Sequence, residues 1–486
     1  MKRLYISIFV LSGLFFSGCA NDFLDVDQTE TLPDDPSLIN NDEGAKSLVT
    51  AIYNQFLSWD MSSFGWIAVS SIISDDADKG SDPGDTGVDK DIIDGLTYNA
   101  STPSFQSVWN ANYVGINRCN QALLFFPKLD KVTPALKTRL EGEAKFMRAF
   151  MYFTLVKGYG GVPIIDHPPI PGSDADRTMQ LTRRSAAEVY AFIEKDLNDA
   201  ITNLPDRSTY GPEDKARVSK GSAYALLAKV NLYQKNWQKV IDNCDKVTGY
   251  SLVSDYASMY KKEGEFGSES IFEINGVGST SSPGFGIANY TASQSPRGTG
   301  GWGWGFNTPS EGLAKAYEVG DVRKNATIIF RGSTLYDGRV IPATVANAMY
   351  NYKAYSSDFY NQEFTDTNLR YLRYAEVLLM KAEALNEVGQ TATAIPLLNQ
   401  VRQRAGLGIT PAVSQDDVRK AIWKERRVEL AFEHDRWFDL VRTGQAEAAM
   451  AADGKTFIVG KHELFPIPNS FLREASGLSQ QNPGGY

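Results

Sequence analysis

Hydrophobic side chains recur at three- and four-residue spacings along much of this chain, most clearly between Leu369 and Gly444. Leu369, Leu372, Ala375, Leu379, Ala382, Leu385 and Val388 fall on one face of a predicted helix. Gly389 ends it, and Ala394, Leu397, Leu398 and Val401 begin the apolar face of a second. A third helix is predicted from the capping pair Ser414 and Asp417 to a stop at Gly444. The same periodicity predicts helices over Asp42–Trp59, around Trp109, Tyr113, Ile116 and Leu123, over Pro134–Lys157 and Ser185–Leu204, and a helix pair over Ser219–Val247. Ser270–Asn275 (SIFEIN) reads as a short strand.

Alanines at 382, 384 and 394 would let the two helices of the 369–404 pair approach closely. A helix–turn–helix of about 34 residues with alanines at the contact resembles the tetratricopeptide unit. Regions near 142–165, 219–247, 369–404 and 416–444 give four such units. They are separated by an insertion, about 250–365, that is rich in Gly, Ser, Thr, Tyr and Trp. The fold class expected is therefore mainly α, a tetratricopeptide-like scaffold carrying a large loop-rich, aromatic-bearing insertion, with function on the loops.

The third helix is dense in charge of both signs, from Glu425, Arg426, Arg427 and Glu429 through Glu433, Asp435, Arg436, Asp439 and Arg442. Spacing alone leaves two readings open: a solvated face laced with i,i+4 pairs, or charges buried against neighbouring helices among Phe432, Trp437, Phe438 and Leu440.

The N-terminus reads as a targeting segment. Lys2 and Arg3 precede an apolar run from Leu4 to Phe16, too short to span a bilayer. Ser17, Gly18 and Cys19 then form a lipoprotein-type cleavage box, with Phe16 where leucine is usual. Residues 1–18 are expected as the signal peptide, Cys19 as the lipidated residue, and 19–40 as an acidic tether to a domain over 41–486. At 486 residues and 42% hydrophobic content the chain can bury a large core. A net charge of −9, with no basic stripe, excludes nucleic acid as a partner. Cys119 and Cys244 lie in helical patterns; their pairing is not decided by sequence, and two buried thiols are the expected state.

Catalytic patterns are weak. His167, His434 and His462 are the three histidines, and none has metal-site spacing. Gly298, Gly300 and Gly303 satisfy GxGxxG without the preceding strand that a dinucleotide site needs. Asp75, Asp76, Asp78, Asp82 and Asp85 could supply the carboxylate pair of a glycosidase, but a dense acidic loop is more often solvated or cation-binding. No cofactor is expected, a structural calcium ion in this loop being the one exception left open. The run GTGGWGWGFN is different. Trp302 and Trp304 are flanked by glycines, with nothing adjacent to bury both rings, and Tyr290 lies upstream in another turn-rich segment. Sugars present flat C–H faces rimmed by hydroxyls, so exposed rings beside polar side chains point to carbohydrate.

KERRVELAFEHDRWFDLVRTG resembles the C-terminal region of the SusD/RagB family of cell-surface nutrient-binding lipoproteins. So does HELFPIPNSFLREASGLSQQNPGGY, with Gly485 added to the family's usual ending, and so do GEAKFMRAFMYFTLVKGYGGVPII and SSIISDDADKG. The resemblance implies a non-catalytic protein anchored in the outer membrane through Cys19, capturing an oligo- or polysaccharide for a TonB-dependent, SusC-like transporter that it caps. It also implies a shallow aromatic site built from loops in the N-terminal third and in the insertion. The matching regions are Asp75–Asn99, where Tyr98 and Asn99 form the aromatic–polar pair and Asp76 and Lys79 add hydrogen bonds, and Tyr290–Phe306 with Trp302 and Trp304. Trp66 and Trp109, on helical apolar faces, are expected in the core. Two rivals stay open: a peptide-capturing member of the same family, with a deeper cavity in place of the platform, and a glycoside hydrolase.

Overall fold

The computed structural model describes residues 36–82, 84–85, 87–277, 287–357, 364–365 and 367–486. The expected signal peptide, Cys19 and most of the tether lie outside the described residues. None of the described helices is long and apolar enough to cross a membrane.

The periodic segments fold as their spacing predicts. Asp42–Gln55 begins at Asn41, whose side chain accepts from the Gly44 N–H; Ala186–Asn203 begins at a full capping box of Ser185 and Glu188. Long helices Pro103–Phe125 and Pro134–Tyr159 pack side by side, and the second also packs on Ala186–Asn203. Lys220–Tyr233 and Trp237–Cys244 follow as a hairpin. Trp237–Cys244 then packs directly against Tyr374–Glu387, which pairs with Thr391–Arg404 and Gln415–Leu430. The repeat units, interrupted in sequence, are thus continuous in space, and one apolar core runs through them with Trp66 and Trp109 inside it.

The insertion leaves and rejoins this scaffold at one place. Strand Ser270–Ile274 pairs antiparallel with Leu369–Arg373, Ser270 opposite Arg373 and Ile274 opposite Leu369. Here the structure corrects the expected helix start: Leu369–Arg373 is a strand with all five residues buried, and the helix begins at Tyr374. A second ribbon, Ala77–Gly80 with Phe306–Pro309, ties the N-terminal third to the aromatic loop of the insertion. A third, Ile328–Phe330 with Met349–Asn351, lies wholly within the insertion.

Two other helices are shorter than predicted. The first stops at Gln55, before Trp59. The last breaks after Leu430 and restarts as Arg436–Arg442. Phe432 and His434, at φ 64° and 70°, take the left-handed conformation in the break. That turn delivers Glu433, His434 and Asp435 into the interior, where all three are buried.

The crowded charges belong to the buried alternative. Arg373, 1% exposed, donates from Nη1 to Glu269 (2.6 Å) and Glu429 (2.9 Å), and from Nε to Glu433 (2.7 Å). Arg323, fully buried, pairs with Asp321, Glu425 and Glu429 at 2.7–2.9 Å. Although burial pushes the Glu433 carboxyl up, the cations of Arg373 and Lys353 beside it hold it at about 2. The acidic segment after Ile73 joins the same system: Arg436 donates to Asp75 (2.7 Å) and Arg427 to Asp76 (2.6 Å). Cys119 and Cys244 are free, buried thiols.

Removing one partner of such a network leaves the others charged and dry. Arg373→Met is expected to lower unfolding free energy by about 3–5 kcal/mol in a urea titration. A pH effect follows from His434. The Ser70 hydroxyl donates to Trp66 O (2.6 Å), so at 2.9 Å it must accept from His434 Nδ1. Nε2 is buried without a partner, and that desolvation disfavours the charged ring. Burial, reinforced by Lys157 and Lys229, depresses its pKa to about 4, below the ordinary value near 6.5. Between those values the unfolded chain takes up the proton and the folded one does not. The stability margin of wild type over His434→Asn, a residue that tolerates left-handed backbone, should be full above pH 6.5. It should shrink by at most about 1.4 kcal/mol per pH unit down to pH 4.

Candidate functional site

The glycine-rich loop after Ser295 is an ordered turn. Trp302 and Gly303 both donate to Pro296 O (2.8 and 2.9 Å), Trp304 to Ala292 O (2.8 Å) and Gly305 to Ser295 O (3.0 Å). Gly303 is required by space: a Cβ there would lie 2.4 Å from Ser295 Cβ and 2.5 Å from Ala292 O. The folded-back loop leaves Trp302 and Trp304 half-buried and turns them toward different neighbours.

Trp304 meets Trp59, also half-buried, with ring centroids 5.8 Å apart and planes tilted by 45°, and the edge of Phe64 at 6.0 Å. Trp302 packs edge-on to Tyr355 at 6.1 Å under the Arg339 guanidinium, 4.6 Å above its ring. Its indole N–H has no protein partner. Beyond the buried ring of Tyr355 lies a second group of tyrosines. Tyr336, 41% exposed, stacks on Tyr352 at 6.1 Å and 13°, with Lys261 Nζ 5.0 Å from its ring. These two tyrosines and Lys261 border an open cavity of about 290 Å³. The Tyr336–Arg339 turn is fixed by Asp337, whose carboxylate accepts from the Arg339 N–H (3.1 Å) and the Tyr355 hydroxyl.

Two indoles side by side, a third under a guanidinium and a tyrosine stack give partly exposed aromatic rings edged by the cations of Arg339 and Lys261. Such an arrangement can stack on ring C–H faces and donate hydrogen bonds to hydroxyls. Among the described residues, no group of three or more His, Cys, Asp or Glu side chains is placed to hold a metal ion.

The other predicted residues lie elsewhere, for identifiable reasons. Tyr290 is 2% exposed; it heads a short buried helix, Tyr290–Gln294, and meets His434 edge-on at 6.4 Å. Tyr98, 1% exposed, stacks on Tyr486 at 6.0 Å and 14° and touches Phe105 and His462, because the C-terminal segment folds over it. Asn99 is exposed, but its Oδ1 accepts from the Ser101 N–H (2.8 Å) in a turn against the helix Asn469–Ala475. Asp76 is buried on Arg427. Lys79 is buried between Asp91 (2.8 Å) and Asp85 (3.1 Å). Asp76, Lys79, Tyr98 and Tyr290 therefore act within the fold and present nothing to a ligand. Trp59, Tyr336, Arg339 and Tyr352 were not anticipated; the readable signals were a tryptophan just past a helix end and the turn sequence Tyr-Asp-Gly-Arg.

A helical-repeat scaffold holding a loop-rich lobe with partly exposed aromatic rings is the architecture against which known proteins can be compared. The chain belongs to the SusD family. The SusD family model matches residues 268–486, and a second, described as starch-binding and associating with the outer membrane, matches residues 22–232. SusD-like protein P2 of Formosa agariphila is 29% identical over 482 residues, spanning 90% of this chain and 92% of its own length. A laminarin-binding SusD-like protein of known structure is 30% identical with a TM-score of 0.76, over 91% of this chain and 99% of the other. Surface glycan-binding protein A of Bacteroides thetaiotaomicron, solved with laminarihexaose, is 25% identical with a TM-score of 0.74, again over 91% and 99%.

Gly303→Ala is expected to unseat the loop, costing about 1–3 kcal/mol of stability and exposing Trp304. A red shift in tryptophan emission together with a lowered urea midpoint would register this.

Proposed function

We propose that this protein is a non-catalytic surface glycan receptor of the outer membrane. In this reading it captures an oligo- or polysaccharide on the Trp59–Trp304 and Trp302–Arg339 faces and passes it to a SusC-like, TonB-dependent transporter. The observation that carries the proposal is that Trp59, Trp302 and Trp304 at one ordered loop, and the stacked pair Tyr336 and Tyr352 beyond the buried Tyr355, all stay partly exposed after folding. Folding normally hides rings of this size, and clustered accessible aromatics mark a binding surface. The relatives that bind laminarin or laminarihexaose support a glucan as the first ligand to try.

Capture works by stacking. A sugar ring laid on Trp304 or Trp302 gives up water from its apolar face, while Arg339 and Lys261 donate to hydroxyls at the edges. Because the face is open, each contact is weak and the residence time short. Lipid attachment at Cys19 would offset this by holding many receptors beside the transporter at high effective concentration. No step in this cycle breaks a bond or calls for a metal.

Affinity electrophoresis of the protein through polysaccharide-containing gels tests the proposal. Laminarin is expected to retard wild type. Trp304→Ala is expected to weaken retardation by roughly tenfold in affinity, in line with the loss of one aromatic stack and its buried area. A Trp59→Ala/Trp302→Ala/Trp304→Ala variant that still folds but runs as in a blank gel would establish the face. Unchanged retardation of that variant would place the ligand elsewhere. Wild type unretarded by any glycan of a broad panel would favour a peptide as the captured nutrient.

A further inference from the structure

A cavity of about 560 Å³ lies away from the aromatic face. It opens between the segment that follows helix Ala186–Asn203, the start of Lys220–Tyr233, the turn after Trp237–Cys244, and residues 266–268. It shares no residue with the tryptophan and tyrosine clusters described above. Its volume is in the range of small-molecule sites.

The walls are built in a particular way. Tyr250 lies flat against Gly221, where a Cβ would come within 2.8 Å of the ring, and its hydroxyl is hydrogen-bonded to Ser219 (3.0 Å). Arg207 sits 5.3 Å over the same ring and donates to the carbonyls of Ser270 (2.9 Å), Gly267 (3.0 Å) and Phe266. Phe266 is held in the left-handed conformation at φ 52°, fixed at both ends: its N–H donates to the buried Glu273 (2.7 Å) and its carbonyl accepts from Arg207. Unfavourable backbone held from both sides, with the side chain left lining a cavity, is the arrangement found at ligand sites.

Charge then selects the ligand. Arg207, Lys215 and Lys246 line the groove against one acid, Asp206, in a chain whose net charge is −9. Lys215 and Lys246 are exposed at the rim, and neither makes a salt bridge or side-chain hydrogen bond within the described residues. The hydroxyls of Ser208 and Thr248 are likewise unengaged. The groove therefore offers the half-exposed ring of Phe266 for an apolar face, free ammonium groups for a negative charge and hydroxyls for a polar rim, with Tyr250, held between Gly221 and Arg207, as its rigid wall.

We infer that this groove is a second saccharide site, specific for an anionic sugar: a residue bearing a carboxylate or sulfate that pairs with Lys215 and Lys246 while its ring lies against Phe266 and is bounded by the Tyr250 wall. The inference rests on the reading of this protein as a saccharide receptor. It would let one chain engage a glycan at two points, a neutral stretch on the tryptophan face and an acidic residue in the groove.

Titration calorimetry on the folded protein, with an oligogalacturonate and with laminarihexaose, tests this. Oligogalacturonate is expected to bind wild type and to weaken as salt is raised. Lys215→Ala/Lys246→Ala is expected to reduce that affinity by roughly tenfold or more, the loss of charge-assisted hydrogen bonds, and to leave laminarihexaose binding unchanged. The Trp302→Ala/Trp304→Ala variant should do the reverse. Both lysines are exposed, so their removal leaves the fold intact, which an unchanged melting temperature would verify. The inference is overturned if neither the uronate nor a sulfated oligosaccharide binds, if binding is insensitive to the lysines, or if a polyglutamate peptide of equal charge binds more tightly than the uronate. Laminarihexaose binding with no acidic binding would sink the groove alone. Acidic binding with no neutral glycan recognised would sink the tryptophan face alone.

Discussion

The guanidinium of Arg373 is sealed from the surface, and the arrangement of three separate segments follows from that. Its charge is met by Glu269 just before the strand that enters the insertion, by Glu429 on the helix Gln415–Leu430, and by Glu433 in the break beyond it. A buried ion deprived of any one of these would be worse placed than an apolar side chain. Only one mutual placement of strand, helix and break satisfies all of them. Because Arg373 itself ends the returning strand, the base of the insertion is clamped to the helical scaffold. The rings at the far end of the lobe inherit a fixed orientation as a result. Arg323, bonded to Asp321 within the insertion and to Glu425 and Glu429 on the scaffold, repeats the device at a second point.

Much of the scaffold was legible because a helical period is a local property. Capping residues such as Ser185 and Ser219 stand beside the helices they start. The errors came where one local pattern serves two structures. Leu369 and Leu372 keep helical spacing with Ala375, yet they sit in a strand whose five residues are all buried, and such a run carries no period of its own. The break at 431–435 contains neither glycine nor proline; Phe432 and His434 adopt left-handed backbone only because tertiary packing and the burial of Glu433 hold them there. Charge density between Glu425 and Arg442 likewise could not show whether those groups met water or each other.

The aromatic cluster was half legible for the same reason. Trp302 and Trp304 advertise themselves through the glycines around them. Trp59, Tyr336, Arg339 and Tyr352 join them from remote segments, through contacts that exist only once the insertion has folded. Tyr98 and Tyr290 have the right chemistry in turn-rich surroundings, but one is covered by Tyr486 and the other packs beside His434. An aromatic residue in a loop is a ligand contact only if nothing distant arrives to cover it, and sequence does not display arrivals.

The pairs Asp75–Arg436 and Asp76–Arg427 join residues 361 and 351 positions apart. Closing a loop of that length is slow compared with forming a helical hairpin. Until the C-terminal helices have been synthesised and docked, the two aspartates remain hydrated anions flanking the apolar run Trp66–Ile73. The two stretches matched by separate family models are therefore one folding unit: each carries buried charge that the other neutralises.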